Sequence, residues 1–171
     1  MYYVIDLANK LIQRGFRAIY ANLSWVEFGQ GKHGGWPDLM IGKNCKVGLV
    51  EVKGQMNFNE ALEKVLGKNV ALGTSFFDPK GAFYVGLAKD LGAYLFLAYF
   101  DKDYEDYMFI PVVFPTCSKG KGSSIKSILD LIDLSRIEEI RKNEEERKRI
   151  EEKARKTIKP LTLDDLEKLF K

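Results

Sequence analysis

The sequence predicts an α/β fold, and three observations carry that expectation. Val4, Leu7, Ala8, Leu11 and Ile12 recur at helical spacing across residues 3–14. Runs rich in β-branched and aromatic residues lie at 16–21, 47–53, 95–100 and 107–114. Between them, Ala61, Leu62, Val65 and Leu66 mark one face of a second helix. At 171 residues and 46% hydrophobic content, the chain can build one domain with a real core and an appendage, which excludes a disordered protein. A net charge of +3 permits a nucleic-acid partner without arguing for one. Any phosphate-binding surface has to come from local clustering.

Each element has its own signal. Gly15 stops the first helix, and Phe16 to Ala21 reads as a strand. The segment from Trp25 to Trp36 holds Gly29, Gly31, Gly34 and Gly35, with Lys32 and His33 inside it. It reads either as a loop whose backbone approaches a nucleic acid or as a plain connection. Trp25 and Trp36 suit base stacking or, more readily, core packing. Leu39 to Ile41 reads as a short strand, with Gly42-Lys43-Asn44 as its turn. Gly54 to Asn59 reads as a turn, residues 59–71 as a helix and Gly81 to Leu87 as a further strand. Leu95 to Phe100 and Tyr107 to Phe114 flank an acidic turn, suggesting a second hairpin. That turn lacks the glycine and terminal glutamate of an EF-hand, so a solvated turn is expected.

The lysine-glycine run at 119–122 is no Walker A loop and reads as a flexible linker. Residues 124–158 read as a long helix in two parts, apolar-striped at first and without an apolar residue from Arg141 to Arg149. Pro160 ends it. A short amphipathic helix from Leu161 to Phe170, capped by Thr162, then needs somewhere to bury its apolar face. Cys45 and Cys117 lack metal-ligand spacing and read as reduced thiols. No apolar run approaches a membrane span and the N-terminus carries no secretory pattern, so a cytoplasmic, intracellular protein is expected.

The residues that carry chemistry are Pro37-Asp38 and Glu51-Val52-Lys53. On a strand, Glu51 and Lys53 share a face while Val52 points into apolar packing. A hairpin between the two strands would bring Asp38 beside Glu51. Hard cations such as magnesium take carboxylate oxygens, waters and substrate phosphate. A nearby ammonium stabilises charge developing on phosphate. The plain alternative is an edge hairpin with a solvated cross-strand charge pair.

Pro37, Asp38, Glu51 and Lys53 resemble the signature of the PD-(D/E)xK nuclease superfamily, which includes archaeal Holliday-junction resolvases and virus-type repair nucleases. The resemblance runs from about residue 6 to 87, roughly half the chain. It implies a restriction-endonuclease-like mixed central sheet flanked by helices over 1–122, with a charged helical C-terminal extension over 123–171. It implies that Asp38 and Glu51, with the Val52 carbonyl, hold Mg2+ (Mn2+ substituting), and that Lys53 assists attack on phosphate. It further implies DNA as substrate, in repair or recombination, and a homodimer.

The pattern departs from the family in two places. The only acid on the first helix, Asp6, stands out of register with the resolvase pattern. Other branches carry a glutamine at the start of the next helix. Here Gln55 stands nearest and would share the face of Glu51 and Lys53 if the strand continued. Gln55 therefore joins Asp38, Glu51 and Lys53 as a catalytic candidate, and Lys32 and His33 are the nucleic-acid-binding candidates. The expected activity is metal-dependent hydrolysis of DNA, endo- or exonucleolytic, with junction, flap or end selectivity left open. The alternatives are a non-cleaving nucleic-acid-binding module on the same fold, or an interaction protein acting through its C-terminal helices.

Overall fold

The computed structural model describes residues 2–21, 37–67, 79–115 and 125–171. The expectations for Trp25, Lys32, His33, Trp36, Cys117 and the lysine-glycine run fall outside them. Helix α1 (Tyr2–Gln13) leads through Gly15, at a φ of +88°, into β1 (Arg17–Tyr20). Strands β2 (Leu39–Lys43) and β3 (Lys46–Met56) form a hairpin. Helices α2 (Phe58–Leu66) and α3 (Pro79–Leu91) precede a second hairpin, β4 (Tyr94–Asp101) and β5 (Asp106–Val113). Two short 3₁₀ turns, α4 (Ile137–Lys142), α5 (Glu144–Thr157) and α6 (Leu163–Leu169) follow.

Among the described residues the strands form one five-stranded sheet in the order β1-β2-β3-β4-β5. All neighbours are antiparallel except β3 and β4. The expected mixed sheet flanked by helices is therefore present. The parallel pair requires a crossover, and α2 and α3 lie in it.

Both faces of the sheet are covered. On one, Leu49, Leu95, Leu97 and Tyr99 pack with α2, α3, α4 and α5. On the other, Val50, Val52, Phe96 and Ala98 pack with α1 and α6. Strand β4 is consequently apolar at nearly every position, as a strand buried on both sides must be. The helices after residue 124 feed both cores. Ile140, Ile150, Ala154 and Ile158 enter the first, while Leu163, Leu166 and Phe170 enter the second. The apolar face of α6 thus finds its partner within the chain, and Thr162 caps it through a reciprocal pair with Asp165. No helix among the described residues is long and apolar enough to cross a membrane.

Several local expectations are corrected. The first hairpin turns at Asn44 and Cys45, not at Gly42. Both central residues take positive φ (53° and 64°), which lets the turn follow the strands' twist. Strand β3 runs on through Gly54 to Met56, and α2 starts at Phe58 because Asn57 caps it by accepting from the Glu60 N–H (2.8 Å). That helix ends at Leu66, before the expected boundary.

Residues 81–87 lie within a helix rather than a strand: Gly81, Tyr84, Val85 and Ala88 are buried at helical spacing. The expected long helix after 124 is broken by polar side chains that bond to the backbone. Asp130 accepts from the Ser127 N–H, Asp133 from the Ser135 N–H and Asn143 from the Glu146 N–H. The acidic turn is not fully solvated either, since buried Asp101 accepts from the Asp103 and Tyr104 N–H groups.

The turn end of the β2–β3 hairpin is clamped by α6. Asn44 and Lys46 donate to the carbonyls of Phe170 and Leu169 at 2.8 and 2.9 Å. The Phe170 ring sits against Phe16, Tyr94 and the backbone of Gly48, where an added Cβ would meet Phe170 at 3.0 Å. Phe170→Ala is expected to destabilise the fold by about 3–5 kcal/mol. Urea unfolding would show this as a lower midpoint with an unchanged slope, and a loss below about 1 kcal/mol would contradict the packing.

Candidate metal centre

The end of this hairpin opposite the turn carries the charged cluster. Asp38 is stitched in from both sides: its N–H donates to the Val50 carbonyl, and its carbonyl accepts from the Ala21 N–H, both at 2.9 Å. Its Oδ2 accepts from the Val52 N–H at 2.8 Å. That bond holds the Asp38 carboxylate against the peptide that follows Glu51. Val52 thus enters the site through its N–H, while its side chain packs in the second core.

Glu51 is 4% exposed, and its Oε2 has no hydrogen-bond partner. Leu49 packs in the first core and Val50 and Val52 in the second, so alternation along β3 places Glu51 on the Leu49 face. Asp38 heads the strand paired with β3, and its carboxyl acts on that of Glu51. Burial, followed by the contact with Asp38, pushes the Glu51 carboxyl well above the ordinary carboxylate range, while Lys53 opposes the rise. Burial also lowers the Lys53 ammonium, and the two acids pull it back up. The structure therefore brings together Asp38, Glu51 and Lys53 as the sequence predicted.

Gln55 is not brought to this group. A register shift between Val52 and Gln55 in the pairing with β4 resets the alternation. Met56 lands in the first core with Leu49, and Gln55 pairs with Phe100, whose ring packs against the second. Its side chain is exposed on the face away from Glu51. Asp6 is engaged elsewhere, accepting from the Tyr107 hydroxyl of β5 at 2.7 Å.

Two groups escaped sequence reasoning. Lys64, half-buried on α2, adds positive potential at Lys53. Tyr84, buried on α3, lies in the field of Glu51. Neither belongs to a linear motif. The only signal is that both sit beside apolar positions of helices that must cover β3 and β4.

The donor set suits a hard divalent cation. Two carboxylates, one of them buried with an open oxygen, repel each other unless a proton or a cation lies between them. Among the described residues no cluster of three or more acidic, histidine or cysteine side chains that could hold a metal occurs.

No family model matches the chain, and no curated protein matches it. Among solved structures the chain is similar to Hjc, a Holliday junction resolvase from the archaeal hyperthermophile Archaeoglobus fulgidus. The identity is 20%, over 72% of this chain and 80% of that one, with a TM-score of 0.42. A likeness at that level bears on neither the activity nor the site.

Glu51→Gln is expected to stabilise the metal-free protein by about 1–3 kcal/mol, because it removes a buried, repelled charge. The sign with pH follows from the raised carboxyl. The stability Glu51 contributes is fully present below its unfolded value of about 4.3 and is lost as pH rises through the folded value. Melting in chelator should show the variant's advantage growing as pH rises toward neutrality. A constant gap would contradict the burial of Glu51 charge.

Proposed function

We propose that the chain is a divalent-metal-dependent nuclease that hydrolyses DNA phosphodiester bonds on a restriction-endonuclease-like fold. The observation that carries this reading is the buried Glu51 carboxylate, its Oε2 open, packed against a second carboxylate with an ammonium beside both. Such a buried acid pair is costly to leave uncompensated and contributes nothing to the surrounding core.

In this reading Asp38 and Glu51 hold Mg2+, with Mn2+ able to substitute and the Val52 carbonyl available as a third oxygen. When bound, the cation supplies Lewis acidity at the phosphate and lowers the pKa of water. The chain's own residues do the rest. The Val52 N–H fixes the Asp38 carboxylate in one orientation. The wall formed by β3 and the first core excludes bulk water from Glu51. Lys53 is held half-buried beside both acids, where its ammonium can meet a phosphate oxygen as negative charge grows there. Partial burial leaves Lys53 poorly hydrated, so an anion replacing lost water gains more from it than from a surface lysine. Lys32 and His33 would contact the nucleic-acid backbone, and activity in repair or recombination, inside the cell and as a dimer, belongs to the same proposal.

A panel of end-labelled duplexes, single strands, flaps and four-way junctions incubated with Mg2+ tests the reading. Cleavage should appear with Mg2+ and vanish with chelator and in Asp38→Asn. Lys53→Ala should cut about 10²–10³-fold more slowly with metal-induced stabilisation retained. Cleavage that persists in Asp38→Asn would sink the proposal. Metal and DNA binding without any cleavage would favour a non-cutting module.

A further inference from the structure

The sheet face that carries Glu51 extends across β1 and β2, and its side chains there follow from alternation. Val47 and Leu49 share the face with Glu51 along β3, and Met40, the register partner of Leu49, packs against the same first core. On β1, Ala18 packs against the second core, so its neighbours Arg17 and Ile19 point to the Glu51 face. Two rows then cross the three strands in register: Ile19–Met40–Leu49 and, one step nearer the hairpin turn, Arg17–Gly42–Val47. Asp38 precedes Leu39, whose side chain lies in the second core, so Asp38 falls on the Met40 face beside Glu51.

Helix α2 packs on β3 and β4 and closes the first core there. Over β1 and β2 the same face is exposed: Ile19 is 60% exposed, Val47 at its margin 38%, and Met40 is half-buried. Helix α1 packs on β1 from the other side, within the second core. The two acids therefore lie where the helix-covered part of the face gives way to an apolar floor. Single apolar residues on a surface are ordinary, whereas a contiguous apolar patch that runs into a charged site marks a ligand surface. Arg17, exposed on the edge strand, puts a positive charge at the far end of this floor.

We propose that this floor seats unpaired nucleotides next to the scissile phosphate: bases lie on Ile19, Met40 and Val47, and Arg17 meets a phosphate farther along the strand. The inference rests on the nuclease reading of Asp38 and Glu51. It goes beyond that reading by naming the substrate class, DNA that is single-stranded beside the cut. The chemistry selects that class. A duplex turns its phosphates outward and keeps its base faces stacked inside, so it has little to lay on an apolar surface. An unpaired strand offers a flat apolar face at every base, and such faces pack on apolar or aromatic side chains. The spacing agrees, because successive rows lie two residues apart, about 7 Å along β2, close to the repeat of an extended nucleotide chain. The charges agree as well. At the acid end a cation has to mediate the approach of phosphate, and at the other end Arg17 attracts phosphate directly.

The test compares wild type, Ile19→Glu, Arg17→Ala and Ile5→Glu on a labelled single strand, a flap, a four-way junction and a blunt duplex. Cleavage is read with Mg2+, binding by fluorescence anisotropy with Ca2+ in its place, and self-association by light scattering. Ile5 is 55% exposed on α1, which covers the opposite face, so Ile5→Glu makes the same charge change away from the floor. Wild type should cut the single strand or the flap in preference to the blunt duplex. Ile19→Glu should weaken single-strand binding about 10-fold while Ile5→Glu leaves it unchanged. Arg17→Ala should lower the slope of log affinity against log salt by about 0.7, and it reads the floor even if Ile19→Glu fails to fold. Equal effects of the two glutamates, or an unchanged salt slope, overturn the proposal. Wild type that cuts only the blunt duplex or the junction overturns the floor and leaves the nuclease reading standing. Loss of a dimer in Ile19→Glu with single-strand binding intact assigns the face to a second copy and also overturns it. If wild type cuts nothing on the panel, the nuclease reading itself has failed, and the floor loses its occupant with it.

Discussion

The hydrogen bond from the Val52 N–H to Asp38 Oδ2 is the constraint on which the candidate site depends. A carboxylate at the head of a strand normally turns to water. Here it is fastened to the backbone of the neighbouring strand, one peptide beyond Glu51. The consequence is electrostatic: a second acid, already buried, cannot move away from the first without breaking the β2–β3 ladder. The protein therefore holds two acids together by backbone geometry, and burial and the nearness of Asp38 hold the Glu51 carboxyl well above the ordinary range, with Lys53 opposing the rise. A site of this kind stores an unfavourable interaction in the metal-free state and recovers it on binding a cation.

Such an arrangement needs a stiff hairpin, and the fold supplies one. Both faces of β3 are packed, one by α2 and the other by α1 and by Phe170 at the end of α6. The turn end is held by Asn44 and Lys46 bonding to α6, while Arg14 on the connection from α1 pairs with Asp164 and Glu167 of the same helix. The exposed ion pairs add little individually, but the buried Phe170 ring beneath Gly48 gives the clamp a hydrophobic anchor. The C-terminal helices thus brace the element that carries the acids.

Much of this was legible in the sequence because it follows from alternation. Leu49, Glu51 and Lys53 on one face and Val50 and Val52 on the other can be read directly, and so can the hairpin that returns Asp38 to Glu51. Gln55 could not be placed, because one register shift after Val52 reverses the faces, and Gly54 inside that interval reads as readily as a turn as it does a bulge. Residues 81–87 read as a strand because Phe83, Tyr84 and Val85 favour strands, and seven residues are too few to separate the two periods. The breaks after residue 124 were in principle visible in Ser127, Asp133 and Asn143, but the isoleucine stripe running through them concealed three caps inside one apparent helix. Lys64 and Tyr84 reach the site only through the packing of α2 and α3, which no spacing rule predicts.

The central claim is that Asp38 and Glu51 close around one cation. Crystals soaked in Mn2+ and measured at the manganese absorption edge test it most directly. The account predicts a single strong anomalous peak about 2.0–2.6 Å from a carboxylate oxygen of each residue, on the Lys53 side of β3. A peak bound elsewhere on the chain, or ordered carboxylates with no peak between them at saturating Mn2+, would contradict it.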